Sequence, residues 1–148
     1  MNGWYAMLAF GGGFVVAQLW KFVAGLVKGR KQAGRMDMKI LIGYLSRSGG
    51  MPSGHAASMS GLTTYLGMMS GFESGLFALA LAMTLIVIYD AIHVRYAVGE
   101  QGKALNGLLE KENKKPLSVV EGHTIGQVVV GAFLGALIGV IVGCLTKA

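Results

Sequence analysis

This sequence has little charge, few acidic residues and almost no cysteine. Only 14% of its 148 residues are charged and 53% are hydrophobic, whereas a soluble domain has about 25% charged residues. The deficit argues against an ordinary water-soluble domain and indicates lipid as the solvent. The single cysteine, Cys144, excludes a disulfide framework and leaves the redox compartment open. The length predicts one domain, residues 1–148.

Acidic residues are scarce, with 7 against 13 Lys and Arg, and the net charge is +6. The cations flank apolar runs, as in membrane proteins that keep them on the cytoplasmic side, so we predict no nucleic acid partner. The carboxylates and thiols form no convincing metal cluster, and we predict no cofactor. A Mg²⁺ or Zn²⁺ ion held by Asp90, Glu121 and His123 is a weaker alternative.

Long apolar runs predict an all-α, integral membrane helical bundle. About four helices are expected to cross, since ~20 apolar residues span the hydrocarbon. The first run lacks the basic start and cleavage site of a signal peptide and is expected to be retained. The predicted spans are Trp4–Val27, Ala56–Gly71, Leu76–Ile92 and Ile125–Leu145.

Two further helices are expected in the two basic loops between the spans. Met36–Leu45 is apolar but too short to cross, which predicts an interfacial or re-entrant helix. A polar loop from His93 to Gly122 contains Gly99–Lys111, which predicts a helix lying at the membrane surface. The Lys and Arg of both loops predict that this side of the bundle faces the cytoplasm.

Charged and small residues inside the spans have two interpretations each. Lys21 either snorkels to the headgroups or faces a polar cavity. Asp90 is either a functional group or the ion-pair partner of Arg95. Glycines recur every fourth residue in the last span and predict a tight contact within the chain or with a second copy in a homo-oligomer. They are Gly131, Gly135, Gly139 and Gly143.

Pro52-Ser53-Gly54-His55 joins the first basic loop to the second span. Pro52 can pre-set a helix start, and Ser53 can cap its free N–H groups. Gly54 lets a ligand approach the backbone, and His55 places a titratable ring beside a helix N-terminus, where anions bind. The stretch is therefore a candidate anion site with its own proton donor.

A second histidine, His123, opens the last span, and the topology brings it to the same end as His55. Hydrolysis of a phosphate monoester needs a nucleophile, a proton donor and positive charge around the phosphate oxygens. Two imidazoles with Lys39, Arg47 and Arg95 could supply all three. His93 has no such surroundings and is predicted to be incidental.

Residues 52–55 resemble the central motif of the type 2 phosphatidic acid phosphatase superfamily, which includes lipid phosphate phosphatases and vanadium haloperoxidases. Residues 49–55, 89–95 and 121–124 together are similar to a small divergent branch of that superfamily. The resemblance covers most of the chain from Lys39 onward. It implies a membrane lipid phosphatase that passes through a phosphohistidine intermediate.

The resemblance implies that His123 is the nucleophile and His55 the general acid. Lys39 and Arg47 correspond to the first motif of the superfamily, and Arg95 to the third. Asp90 completes the predicted catalytic group. The predicted substrate-binding residues are Lys39, Arg47, Ser53, Gly54, Arg95, Glu121 and Gln127.

Gln127 departs from the superfamily pattern, which has an aspartate there to orient the nucleophile. Asp90 or Glu121 could be the orienting carboxylate instead. Gln127 could equally serve a capping box with Thr124, since Thr-x-x-Gln is that motif. The third motif is also split, because Arg95 lies far before His123 in the chain.

The expected function is hydrolysis of a lipid phosphomonoester of the phosphatidylglycerol phosphate or phosphatidic acid type, at the cytoplasmic leaflet. An isoprenyl diphosphate phosphatase is one alternative. A non-catalytic lipid-binding or assembly protein is another. A small transporter, with Lys21 and Asp90 along a polar path, is a weaker third.

Overall fold

The structure is a computed structural model that describes residues 3–33, 50–119 and 122–147, with residues 28–33 described only as helical backbone. All regular elements in these ranges are helical, and the protein is an all-α membrane helical bundle, as predicted. The predicted helix Met36–Leu45 lies outside the described residues. The elements are α1 Gly3–Ala33, α2 Gly54–Ser70, α3 Gly75–Tyr89, a π-helical segment Asp90–Val94, α4 Arg95–Lys111 and α5 Ile125–Lys147.

Three stretches of the described chain are long and apolar enough to cross a membrane: Gly3–Val27, Gly75–Lys111 and Ile125–Lys147. The remaining predicted span corresponds to α2, which has only 17 residues, 9 of them buried. α2 contacts α1, α3 and α5. It therefore forms the centre of the bundle, and its small side chains face other helices rather than lipid.

The glycine seam of α5 packs against α2 of the same chain. The contacting pairs are Gly131 with Ser53, Gly135 with Ala57, Gly139 with Gly61 and Gly143 with Met68. Both partners advance in the same direction, so the two helices run parallel. A Cβ at Gly135 would overlap the Ala57 carbonyl group, which is why only glycine fits there. This seam makes an intrachain contact, and a homo-oligomer through the same glycines stays a prediction.

α1 and α3 both run antiparallel to α2. On the α1 side, Gly13 packs against the backbone of Ala57. On the α3 side, the hydroxyl groups of Thr63 and Thr84 lie 2.7 Å apart, so that one donates to the other, and the Ala80 carbonyl lies within hydrogen-bond distance of both, at 3.2 and 2.8 Å. These shared hydrogen bonds satisfy buried polar groups and fix the register of α2 and α3.

The prediction of a polar loop starting at His93 is wrong. The helix that begins at Gly75 continues to Lys111, changing only to π-helical geometry over Asp90–Val94. No glycine or proline lies between Asp90 and Val98 to end it. The Arg95 N–H group donates to the Asp90 carbonyl oxygen, the five-residue spacing of a π turn. The helix over Gly99–Lys111 exists, as part of this longer rod.

The segment that follows α4 runs back along that helix. Asn106 makes two hydrogen bonds to Leu117: its Oδ1 accepts from the Leu117 N–H group at 2.7 Å, and its Nδ2 donates to the Leu117 carbonyl at 3.0 Å. Further along, Val119 packs against Gly102. The returning chain therefore reaches the start of α5 beside the π-helical segment.

Candidate active site

One end of the bundle collects the start of α2, the end of α3 with the π-helical segment, and the start of α5. His55 lies in the first turn of α2 and is exposed, whereas His123 lies just before α5 and is only 8% exposed. The Ser53 N–H group donates to the Gln127 carbonyl oxygen at 2.9 Å, which ties the starts of the two helices together. Both histidines therefore lie at one level of the bundle.

Backbone contacts hold His123 against the π-helical segment. Its N–H group donates to the carbonyl oxygen of buried Ala91 at 3.1 Å. Immediately before it, Gly122 lies against the backbone of Arg95 and Tyr96, where a Cβ would clash. Arg95 and His123, distant in sequence, are thus brought side by side by the returning chain.

The His123 ring is oriented by Gln127. Nδ1 of His123 lies 3.1 Å from Oε1 of Gln127, and the Thr124 N–H group donates to the same Oε1 at 3.1 Å. Because a backbone N–H group only donates, this atom is the amide oxygen, and Nδ1 must carry the proton. The neutral ring then has its lone pair on Nε2, the form that a nucleophile needs.

Burial lowers the pKa of His123 below its usual range, because the charged ring is poorly solvated there. The hydrogen bond to Gln127 opposes this shift, while the positive charges of Lys21, His55 and Arg95 lower the pKa further. The ring is therefore neutral at pH 7. The same charges show that four basic side chains share this end of the bundle.

Asp90 forms an ion pair with Arg95, with Oδ2 and Nε 2.7 Å apart and both side chains partly exposed. The sequence allowed Asp90 to be a functional group or the ion-pair partner of Arg95, and the structure contains the ion pair. It uses Nε of the guanidinium group, and among the described residues the two terminal nitrogens have no hydrogen-bond partner, so they can donate to a ligand. The charges of Arg95, Asp90 and Lys21 all act on His55, so the ion pair lies near the exposed histidine.

The sequence profile of the Divergent PAP2 family matches residues 4–138. The chain belongs to the Divergent PAP2 family. "Uncharacterized membrane protein YuiD" of Bacillus subtilis (strain 168) is similar to it, at 32% identity over 111 residues that make up 64% of this chain and 70% of that protein. No solved structure matches this chain. The matched range contains the residues that carry the resemblance to the divergent branch.

Other predicted site residues of this Divergent PAP2 protein have structural contacts. Ser53 is fully buried, and its side chain caps α2 by accepting from the Ala56 N–H group at 3.4 Å. Gly54 is buried against the Phe14 ring, 3.3 Å from where a Cβ would lie. Their contacts with substrate stay predictions. Lys39, Arg47 and Glu121 lie outside the described residues.

The predicted capping box in this Divergent PAP2 protein is confirmed. The Gln127 N–H group donates to Oγ1 of Thr124 at 3.4 Å, reciprocating the bond from the Thr124 N–H group. Gln127 therefore both caps α5 and orients His123. In the described ranges no three His, Cys, Asp or Glu side chains are grouped to hold a metal ion.

The sequence is compatible with two positions of the Lys21 side chain, at the lipid headgroups or facing a polar cavity. Its charge acts on both His55 and His123. The spacing of small residues in α1 indicates that Lys21 faces the bundle. Lys21 lies four residues after Ala17 and eight after Gly13, and both of these residues are buried. The spacing places it on the packed side of the helix.

Proposed function

We propose that this protein is a membrane phosphatase that hydrolyses a lipid phosphomonoester through a phosphohistidine intermediate. The observation that carries the proposal is the His123–Gln127 hydrogen bond, which leaves Nε2 of a neutral imidazole as a nucleophile beside basic groups. Membership of the Divergent PAP2 family supports the same chemistry. The substrate classes we favour are phosphatidylglycerol phosphate and phosphatidic acid.

In the first step, Nε2 of His123 attacks phosphorus, and the bond from phosphorus to the lipid oxygen breaks. His55, protonated, gives its proton to the departing oxygen, so the lipid leaves as an alcohol. The free nitrogens of Arg95 donate to the nonbridging phosphate oxygens, whose charge they stabilise in the transition state. The product of this step is phosphohistidine and a neutral His55.

In the second step, neutral His55 takes a proton from water as the water oxygen attacks phosphorus. The bond between phosphorus and Nε2 breaks, releasing inorganic phosphate and restoring both histidines. The net reaction consumes one water and yields one alcohol and one phosphate. Gln127 holds the His123 ring in one tautomer through both steps.

We further propose that the site faces the cytoplasm, because α1 ends and α4 begins at its end of the bundle, and most of the Lys and Arg residues follow these two points in the sequence. The test replaces Cys144 by alanine and introduces a single cysteine at Asn113 on the site side or at Glu73 in the opposite turn. An impermeant thiol reagent applied to intact cells should label only Glu73→Cys. Labelling of Asn113→Cys alone would place the site outside.

The activity test measures phosphate released by the purified protein from a panel containing phosphatidylglycerol phosphate, phosphatidic acid and an isoprenyl diphosphate. We expect turnover of a phosphomonoester that is inhibited by orthovanadate. His123→Ala should abolish it, and His55→Ala should slow it by about 10²–10⁴-fold. The matched control is His93→Ala, because His93 is exposed and stacks on Tyr89 with ring centroids 4.3 Å apart.

Full activity in His123→Ala would contradict the nucleophile assignment. Preference for the isoprenyl diphosphate would select that alternative substrate class. The neutral Gln127, which provides no charge to stabilise an imidazolium, favours one non-enzymatic alternative, a lipid-binding or assembly protein. Lipid binding that survives both histidine substitutions, without turnover of any lipid in the panel, would support it.

A further inference from the structure

α1 has one lysine on the face that packs against α2. Residues on this face recur at every fourth position, which keeps them on the same side of a helix. Apart from Lys21 they are small and buried: Ala9, Gly13, Ala17 and Gly25. A Cβ at Gly13 would clash with the Ala57 backbone. Lys21 therefore lies on the side of α1 that faces the bundle, and its side chain is half-buried.

The antiparallel pairing sets the level that Lys21 reaches. Gly13 contacts Ala57, and Phe14 contacts Gly54, the first residue of α2. Because α1 runs opposite to α2, each later turn of α1 rises ~5.4 Å further toward the end where α2 begins. Lys21, two turns after Gly13, thus lies just beyond the start of α2, and its side chain leans back toward the N-terminus of α1 and so toward the candidate active site.

The candidate active site contains more basic than acidic side chains. The charge of Lys21 acts on both His55 and His123, as does that of Arg95. The carboxylate that acts on His55, Asp90, is already bound to Arg95. Across residues 3–33, 50–119 and 122–147 no carboxylate lies within ion-pair distance of Lys21. A half-buried cation in such surroundings is stabilised by an anion that binds between the basic groups.

A second polar group accompanies Lys21 on α1. Oε1 of Gln18, three residues earlier, is buried and has no hydrogen-bond partner in the described part of the chain. A buried amide oxygen without a donor is costly. A phosphate ester suits both groups, because its oxygens accept from an ammonium group and a hydroxyl on it donates to an amide oxygen.

The geometry points to Lys21 as a ligand of the substrate phosphate, contributed by α1 to a site otherwise built from α2, the π-helical segment and α5. This assignment rests on the proposed phosphatase function. The Lys21 ammonium group donates to a nonbridging oxygen of the phosphate that His123 attacks. It is a substrate-binding group that changes no bond itself, and together with Gln18 it favours phosphomonoesters, because their monoanion carries a hydroxyl that a diester lacks.

The test substitutes Lys21→Met, which keeps the length of the side chain and removes its charge, with Lys21→Gln as a second neutral variant. Lys147→Met is the matched control, since Lys147 is exposed at the far end of α5. We expect both neutral Lys21 variants to raise KM for the lipid phosphate and the inhibition constant of orthovanadate by about 10- to 100-fold, the loss of one charge-assisted hydrogen bond. Lys21→Arg should recover most of this loss, and Lys147→Met should change neither value.

A binding measurement separates this inference from catalysis. Orthovanadate should raise the thermal midpoint of the wild type in detergent, and much less that of Lys21→Met. If no lipid is hydrolysed but this Lys21-dependent shift is present, the anion site stands and the phosphatase proposal fails. If lipid is hydrolysed and Lys21→Met keeps KM, the inhibition constant and the shift, the inference fails alone. A lower midpoint of Lys21→Met with unchanged KM would make Lys21 purely structural and also overturn it.

Discussion

Nδ1 of His123 lies 3.1 Å from Oε1 of Gln127, and that oxygen also accepts the N–H group of Thr124. One amide therefore begins a helix and fixes the tautomer of a buried histidine. An aspartate would do both and would also stabilise the charged imidazolium ring. With a neutral amide, burial dominates and the pKa of His123 is lowered.

Gln127→Glu should move the acid limb of the pH–rate profile to higher pH. Glutamate keeps the capping box and the hydrogen bond to Nδ1 but adds a negative charge, which raises the pKa of His123 by about one to three pH units. The measurement is kcat/KM against pH for the wild type and the variant. An unchanged acid limb would mean that the titration of His123 does not limit catalysis.

Gln127→Leu should lower kcat by about 100-fold, because the ring loses its fixed orientation. The loss of the capping interaction should also reduce the free energy of unfolding by about 1 kcal/mol. A control for the cap alone is Thr124→Ala, which removes the other half of the box and leaves Oε1 of Gln127 next to the ring. If both variants lose the same activity, the cap rather than the ring contact is responsible.

Stability should depend on pH through His123. A histidine with a lowered pKa in the folded state binds fewer protons there than in the unfolded chain. Its contribution is therefore complete above the unfolded value of about 6.5 and is lost as pH falls through the lower folded value. We expect the thermal midpoint in detergent to fall on acidification, with a shallower fall in His123→Ala and an unaltered one in His93→Ala.

Much of the fold could be predicted because its signals are local. The apolar runs mark α1, α3 and α5 by length and composition, and the glycine period of α5 marks a close contact. The cap at Ser53 and the box at Thr124 and Gln127 follow from residue type and spacing. The interpretations of single residues were harder, since Asp90 and Gln127 each fitted two roles.

The remaining features depend on contacts between distant parts of the chain. The helix continues through Asp90–Val94 with π-helical geometry, and no residue type in the sequence predicts a π turn there. Arg95 meets His123 because Asn106 and Val119 hold the returning segment on α4. Whether the Lys21 side chain lies on the lipid side or on the bundle side of α1 depends on which face of α1 packs against α2. Sequence patterns describe a helix face but not its partner.

Asp90→Asn should raise KM by about tenfold with a smaller effect on kcat. The carboxylate holds Arg95 through Nε at 2.7 Å, and the amide keeps the shape but holds the guanidinium group less firmly. Glu100→Gln is the matched control, because it removes an exposed carboxylate 3.0 Å from Lys103 on α4. A fall in kcat at constant KM would indicate instead that Asp90 acts on a histidine directly.

Gly135→Ala should destabilise the bundle strongly, because the added methyl group meets the Ala57 carbonyl in the contact between α2 and α5. The obstacle is backbone, which moves only with its helix, so the loss should be near the upper end of the usual 1–3 kcal/mol, at about 3 kcal/mol.

Gly126→Ala is the matched control on the same helix, since Gly126 is exposed with open space around it. It should be neutral or stabilising by about 0.5–1 kcal/mol, as alanine favours helix over glycine. Unfolding in detergent followed by circular dichroism measures both. Equal stability of the two variants would mean that the α2–α5 contact is looser than these positions require, and that the starts of the two helices are held together mainly by the Ser53–Gln127 hydrogen bond.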